Sequence, residues 1–352
     1  MKLLKKNLKD NEITIKTESL DDLWYLSQII TPKTIINGKT YRKVEINDKA
    51  SERKQIFIEL EVEKTEFKEF SDILKVLGKI LRSSDDRVQK GDYHSFNISV
   101  KDEITIIKEW SAVDFDYLTK SSKKDSNLML VAADYGDATI AYYHDYSIEY
   151  STTLSEELGG KREITTYEKN KAEFIKTLLS SLNELAKNRQ AKSVLIGATM
   201  SLIDSLKSKV NDYDYLKNKS SFVKINYSNK NGIKELINSG EAQKSIEKTQ
   251  YYEQQVIINN LMELISKSKK STYGYKFVKE AINKGAVKDL IISTNFIKKA
   301  KENNFFKELD SLINFSNSSN ASLSIVNSGS ELGEQVDNLA GIAAILRYDL
   351  KE

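Results

Sequence analysis

Apolar and polar residues alternate through roughly the first 110 positions, and beyond them the period changes. That change constrains the fold more than any other feature, because a period of two builds half-buried strands and one of about 3.6 builds helices. Ile13, Ile15 and Thr17 alternate with polar neighbours. Ile56, Ile58, Leu60 and Val62 share one side of a strand, with Glu59, Glu61 and Glu63 on the other. Val76, Gly78 and Ile80 repeat the pattern, as do Phe96, Ile98 and Val100, and Ile104 and Ile106. Asn37-Gly38, Asn47-Asp48, 83–87 and Gly91-Asp92 read as turns between the runs, which predicts a small β-barrel or sandwich. One helix interrupts it at 20–30, opened by Ser19, Asp21 and Asp22 and closed before Pro32.

From residue 111 the pattern is mixed: 111–123 reads as helix and linker, and the unbroken apolar run 128–133 as a strand covered on both faces. Segments 136–144 and 147–154 read as two more strands. Phe174, Ile175, Leu178, Leu179, Leu182 and Leu185 mark an amphipathic helix, 194–196 a strand, and a further helix starts near Ser201. This order makes a mixed α/β unit. The polar stretch 238–250 reads as a boundary, followed by a helix through Ile257, Ile258, Leu261, Met262, Leu264 and Ile265. The remainder alternates helices at 276–284, 296–303 and 305–313 with strands at 290–292, 323–325 and 343–346, around a turn at Gly333. That is a compact α/β/α sandwich. The expected domains are 1–125, 126–250 and 251–352.

Composition removes several chemistries. The 352 residues contain no cysteine, which excludes disulfides, thiolate metal sites and cysteine nucleophiles. His94 and His144 are the two histidines, too few for a multi-histidine metal centre. Lys and Arg number 54 against 51 Asp and Glu, a net charge of +3, so any nucleic-acid contact has to come from local patches. The longest apolar run, 340–346, is interrupted by Gly341 and falls far short of the ~20 residues of a membrane span. A cytoplasmic protein without membrane contact is expected.

Three local motifs each admit two readings. Asp21-Asp22 could hold Mg²⁺ or Mn²⁺, but acidic residues in a first helical turn more simply satisfy its free N–H groups. Arg42 and Lys43 on a strand, with Lys49, Arg53 and Lys54 after the following turn, form a basic patch that could meet phosphates or could be a solvated hairpin tip. Gly159-Gly160-Lys161-Arg162 combines backbone freedom with two cations, and reads either as a phosphate contact or as a plain loop; it lacks the spacing of a P-loop. His94 and His144 read as hydrogen-bonded structural residues. No set of residues builds a recognisable catalytic site, and no catalytic residue is assigned.

Taken in order, nine segments resemble the archaeal Pelota family, relatives of the class 1 translation release factors. LDDLWYL (20–26), TYRKV (40–44), VEKTEFKEF (62–70), GKI (78–80) and DEITIIKEW (102–110) resemble its N-terminal domain. ADYGDATIA (133–141) and GGKRE (159–163) sit where its central domain should, and YGYKFVKEAINKGAVKDLIIS (273–293) and GEQVDNLAGIAAILRY (333–348) resemble its C-terminal domain. The resemblance implies a multidomain α/β protein: an Sm-like β-barrel, a central RNase H-like α/β domain and an α/β/α sandwich resembling the kink-turn-binding ribosomal proteins.

The functional implication is rescue of stalled ribosomes, in no-go decay and RNA surveillance. A tRNA-shaped monomer enters the empty A site, delivered by GTP-bound archaeal elongation factor 1-alpha, and promotes subunit splitting with the twin-ATPase recycling factor. No cofactor is required for that role. Arg42, Lys43, Arg53 and Lys54 would face the decoding centre or mRNA channel, and Lys161 and Arg162 ribosomal RNA. The release-factor tripeptide GGQ is absent, since Lys161 follows Gly159-Gly160, and the stop-codon motif NIKS is missing from the first domain. One departure is Gly197-Ala198-Thr199-Met200, where family members often carry Gly-Pro-Gly-Phe. The alternative implied by the family is a divalent-metal-dependent endoribonuclease, with Asp21 and Asp22 matching the acidic positions invoked for it.

Overall fold

The computed structural model describes residues 1–47, 50–68, 71–121, 127–157, 164–241 and 250–350, without the side chains of 42–47, 50–53 and 164–166. The alternating region forms one antiparallel sheet of seven strands: β1 (Lys2–Asn7), β2 (Glu12–Lys16), β3 (Ile35–Asn47), β4 (Ala50–Glu66), β5 (Leu74–Ser83), β6 (Tyr93–Ile98) and β7 (Glu103–Ile107). They pair in the order β1-β2-β7-β3-β4-β5-β6. The inward residues Ile13, Ile15, Ile58, Leu60, Val76, Phe96 and Ile106 are buried, whereas Val100 is half-buried in the turn after β6, which ends at Ile98. The sheet curls around them until β6 reaches β3: Thr40 Oγ1 lies 3.1 Å from His94 Nε2.

Asn37-Gly38 is not a turn. Both residues lie inside β3, where Gly38 pairs with Ile58 on one side and Ile104 on the other. A Cβ at Gly38 would stand 3.1 Å from Phe96 Cζ and from the Glu103 carbonyl, so the glycine answers a close approach of core groups. Strand β1 is invisible to periodicity because its residues are nearly all exposed, Leu3 and Leu4 included.

Helix α1 (Leu20–Ile29) and helix α2 (Ala112–Ser121) lie against each other beside this sheet. Strands β8 (Leu128–Asp134), β9 (Asp137–Tyr143), β10 (Ile148–Ser155), β11 (Ser193–Ala198) and β12 (Ser220–Lys224) form a second sheet, ordered β10-β9-β8-β11-β12. Its first three strands run antiparallel, and β11 lies parallel to both β8 and β12. The unbroken run on β8 is explained by cover on both faces. Met129 and Val131 pack with Phe174, Leu178 and Leu182 of α3 (Ile164–Asn188) and Leu206 of α4 (Ile203–Lys209). Leu128 and Leu130 pack with Ile233 and Leu236 of α5 (Lys230–Ile237) and Ile258 of α6 (Gln250–Ser266). β12 and α5 carry too little apolar pattern to stand out in the sequence.

The third sheet, β13-β16-β14-β15, contains β13 (Ser271–Tyr273), β14 (Val287–Ser293), β15 (Ser322–Val326) and β16 (Ile342–Leu346). Helices α7 (Tyr275–Asn283), α8 (Thr294–Glu302) and α9 (Phe306–Ser318) cover one face through Val278, Ile297 and Ile313. Helices α6 and α10 (Glu331–Asp337) cover the other through Leu261, Leu332 and Val336. The expected sandwich is present, with one correction: Gly333 belongs to α10. Ser330 caps that helix, its Oγ accepting from Gly333 N at 3.1 Å. Among the described residues no helix is long and apolar enough to cross a membrane.

A Cβ added at Gly333 would meet the Asn327 carbonyl oxygen at 1.9 Å, and backbone cannot swing aside as a side chain can. Gly333→Ala should therefore destabilise by about 1–3 kcal/mol, read as a lowered melting temperature by calorimetry. An unchanged melting temperature would mean that α10 does not sit this close to the Asn327 loop.

Candidate nucleic-acid interface and the domain junction

The long strands β3 and β4 pair the backbone segments that carry the four cations. Their register sets Arg42 opposite Lys54 and Lys43 opposite Arg53, two successive cross-strand pairs that are wholly cationic. Lys54 is exposed and reaches back 3.4 Å to Asp85 in the β5–β6 turn. Asp85 is gripped more firmly by Arg87, at 2.8 and 2.6 Å, and this guanidinium holds its carboxyl well below the usual carboxylate range. Lys161 and Arg162 lie outside the described residues.

Beside the hairpin a cleft of about 740 Å³ runs along the outer face of the sheet, lined by Lys39, Tyr41, Gln55, Phe57, Asn97 and Lys101 among others. Tyr41 and Phe57 are 57% and 47% exposed. Exposed rings among amides and cations are the groups that stack on and bind single-stranded bases. The sequence did not single these residues out, because they recur at no fixed spacing and only the curl of the sheet assembles them.

Asp21 and Asp22 face elsewhere. Asp22 Oδ2 accepts from the backbone N–H groups of Glu18 and Ser19, at 2.6 and 3.1 Å, the helix-start role that its position suggests. Its Oδ1 lies 2.6 Å from the Met1 amine. Asp21 does something the sequence did not reveal: it crosses to the central domain. Its Oδ1 meets His144 Nδ1 at 2.8 Å and its Oδ2 accepts from Asp145 N at 3.1 Å. All four carboxylate oxygens thus already accept protein donors, and a divalent ion at this pair would have to displace them.

His144 Nε2 in turn meets Glu149 at 3.1 Å, and Arg189 meets the other oxygen of Glu149 at 3.0 Å. With a carboxylate on each ring nitrogen, His144 donates from both and is an imidazolium. Burial opposes that charge, but Asp21 and Glu149 outweigh it and raise the pKa to about 9. The result is a chain of alternating charge, buried at Asp21 and His144 and partly exposed at Glu149 and Arg189, from α1 through the β9–β10 turn to just beyond the end of α3. Beside it Trp24 stacks on Tyr146, with centroids 4.6 Å apart and planes 6° apart. On the opposite flank Ala112 N donates to Asp310 at 2.9 Å and Lys120 Nζ to the Leu323 carbonyl at 3.1 Å, tying α2 to the C-terminal domain. In the Gly197–Met200 segment, Thr199 Oγ1 donates to Asp134 at 2.6 Å while Met200 is exposed.

The Pelota N-terminal domain family model matches residues 1–122, and the eRF1 domain 3 model matches residues 251–350. A protein pelota homolog of Pyrococcus horikoshii is 28% identical over 360 residues, covering 100% of both chains. The Pelota structure of Thermoplasma acidophilum superposes with a TM-score of 0.75 at 22% identity, covering 99% of this chain and 100% of that one. Yeast Dom34, described as a translation termination-like factor involved in RNA quality control and interacting with Hbs1, gives a TM-score of 0.56 at 18% identity over 100% of this chain and 99% of its own.

The pKa of His144 is raised from 6.5 to about 9 on folding, so its contribution to stability is fully present below pH 6.5 and lost as pH rises through 9. His144→Gln leaves Asp21 buried without its cation, and should cost about 3 kcal/mol near neutrality. Melting temperatures of the two proteins, measured from pH 6 to about pH 10, should converge at the alkaline end. Parallel curves would remove the imidazolium from the junction.

Proposed function

The chain belongs to the Pelota family, and from that premise we propose that it rescues stalled ribosomes as an adaptor without chemistry of its own. The observation that carries the reading is colinearity: the whole chain aligns with a pelota homolog from end to end. The first domain is read as Sm-like, the second as RNase H-like and the third as resembling the kink-turn-binding proteins. In this reading the protein occupies the empty A site, delivered by GTP-bound elongation factor 1-alpha, and hands the ribosome to the twin-ATPase recycling factor for splitting.

The hairpin of β3 and β4 supports the ribosomal half of the proposal. It concentrates four cations on a chain whose net charge is only +3, which is how a near-neutral protein makes a local contact with RNA phosphates. No observation of this kind favours the nuclease alternative. Peptide release is not expected either, because GGQ is absent.

Arg53→Glu/Lys54→Glu tests the reading. Asp85 keeps its grip on Arg87, so the fold should survive. Binding to ribosomes with an empty A site should weaken at every salt concentration, and the slope of log affinity against log salt should fall by about one for each phosphate that the variant no longer neutralises. Splitting of stalled ribosomes with the recycling ATPase should fall in parallel. Unimpaired splitting by this variant would take the hairpin out of the mechanism. Stop-codon-dependent hydrolysis of peptidyl-tRNA by the wild-type protein would refute the adaptor assignment itself.

A further inference from the structure

A second cavity, of about 800 Å³, opens between the N-terminal sheet and the C-terminal domain. Ile30, Pro32, Tyr117, Ile297 and Phe306 supply apolar wall, and two lysines from different domains project into it: Lys108, just after β7, and Lys301 on α8. Lys108 is well held. Its Nζ donates to the Ile29 carbonyl at 2.9 Å and to Asp114 Oδ1 at 3.0 Å. Asp114 is fully engaged, since its Oδ2 also accepts from the N–H and hydroxyl of Ser111, at 3.0 and 2.8 Å.

Lys301 has no such anchor. Among the described residues its ammonium makes no hydrogen bond or ion pair, and it rests 5.1 Å from the Phe306 ring centroid. Burial and then the neighbouring Lys108 charge push its pKa down, and the attraction of Asp114 offsets them only in part. Exposed charges at the rim do not help, because Lys298 and Glu302 stand 3.9 Å apart as a pair of their own and Glu109 is exposed. The interior therefore holds two ammonium groups against one saturated carboxylate. A half-buried cation without an acceptor is costly, and the shortfall is one anion. Thr294 lines the same cavity; its Oγ1 accepts from Ser328 N at 3.0 Å, which leaves its own proton to donate.

We propose that this interdomain cleft is a binding site for a phosphate group, held between Lys301 and Lys108 with the Thr294 hydroxyl as a third donor. A phosphate presents several oxygens at once and so can meet donors converging from both domains. The phosphate could be a free ion or a diester of an RNA backbone, and the chemistry of recognition is the same. The inference is independent of the ribosomal reading, since it rests on the charges of the cleft alone.

The test uses the full-length protein, titrated at constant ionic strength with inorganic phosphate and, separately, with a short oligouridylate lacking terminal phosphates. Calorimetry should give saturable binding with one of them, and that one names the source. Lys301→Gln should weaken it about tenfold or more, Lys301→Arg should largely restore it, and Lys298→Gln at the rim should leave it unchanged. Without ligand, Lys301→Gln should melt no lower than wild type, because it removes a repulsion. In the wild-type protein the ligand should also shift the side-chain resonances of Lys301, a readout that needs no variant. Absence of saturable binding with both ligands, or equal binding by Lys301→Gln, would overturn the proposal.

Discussion

Helix α1 is the constraint on which the rest of the molecule depends. Asp21, Asp22, Leu23, Trp24, Tyr25, Leu26 and Ile29 are all buried, so the helix has almost no solvent face. A ten-residue helix can be enclosed in this way only if different units cover different sides of it. The N-terminal sheet covers one side and α2 another. Tyr146 and His144 of the central domain close a third. The charge of His144 exists because Asp21 is there, and Asp21 tolerates burial because His144 is charged; each group stabilises the other in a place where either alone would be expelled.

Much of this was legible in the amino-acid order. The alternation at 56–62 and at 104–106, the unbroken apolar run on β8 and the stripe along α3 all became the elements that they predicted. These are segments whose burial is set by a single local rule. Where burial is shared between distant elements, the pattern fails. Asn37-Gly38 and Gly333 look like turns because glycine is the usual turn residue, yet both sit in regular elements where another part of the chain comes too near for a side chain. β1, β12 and β13 are short or exposed and carry no stripe to read.

The same division applies to function. The basic hairpin stands out as a candidate because its four cations lie within a few residues of the turn. Tyr41 and Phe57 could not, being ordinary aromatics until the sheet curls. Asp21 and His144 are 123 positions apart, and nothing in either neighbourhood points to the other. Lys301 is one of many lysines until Lys108 is found beside it.

Helix α6 couples two domains mechanically. Its seventeen residues, about 25 Å long, pack against the central sheet through Ile258 and against the C-terminal sheet through Leu261, and Tyr251 sits edge-on to Tyr143. Two of the three sheets therefore share one apolar strut. The N-terminal domain meets the central domain through α1, where the Asp21–His144 ion pair lies beside the Trp24–Tyr146 stack, so this joint has an ionic component that the strut lacks. Joints of these two kinds answer the solvent in opposite senses. Concentrated kosmotropic salt screens the rim of the ionic joint and strengthens the apolar one. The chain accordingly carries two joints of different temper, and the composition of the surrounding solution decides which of them yields first.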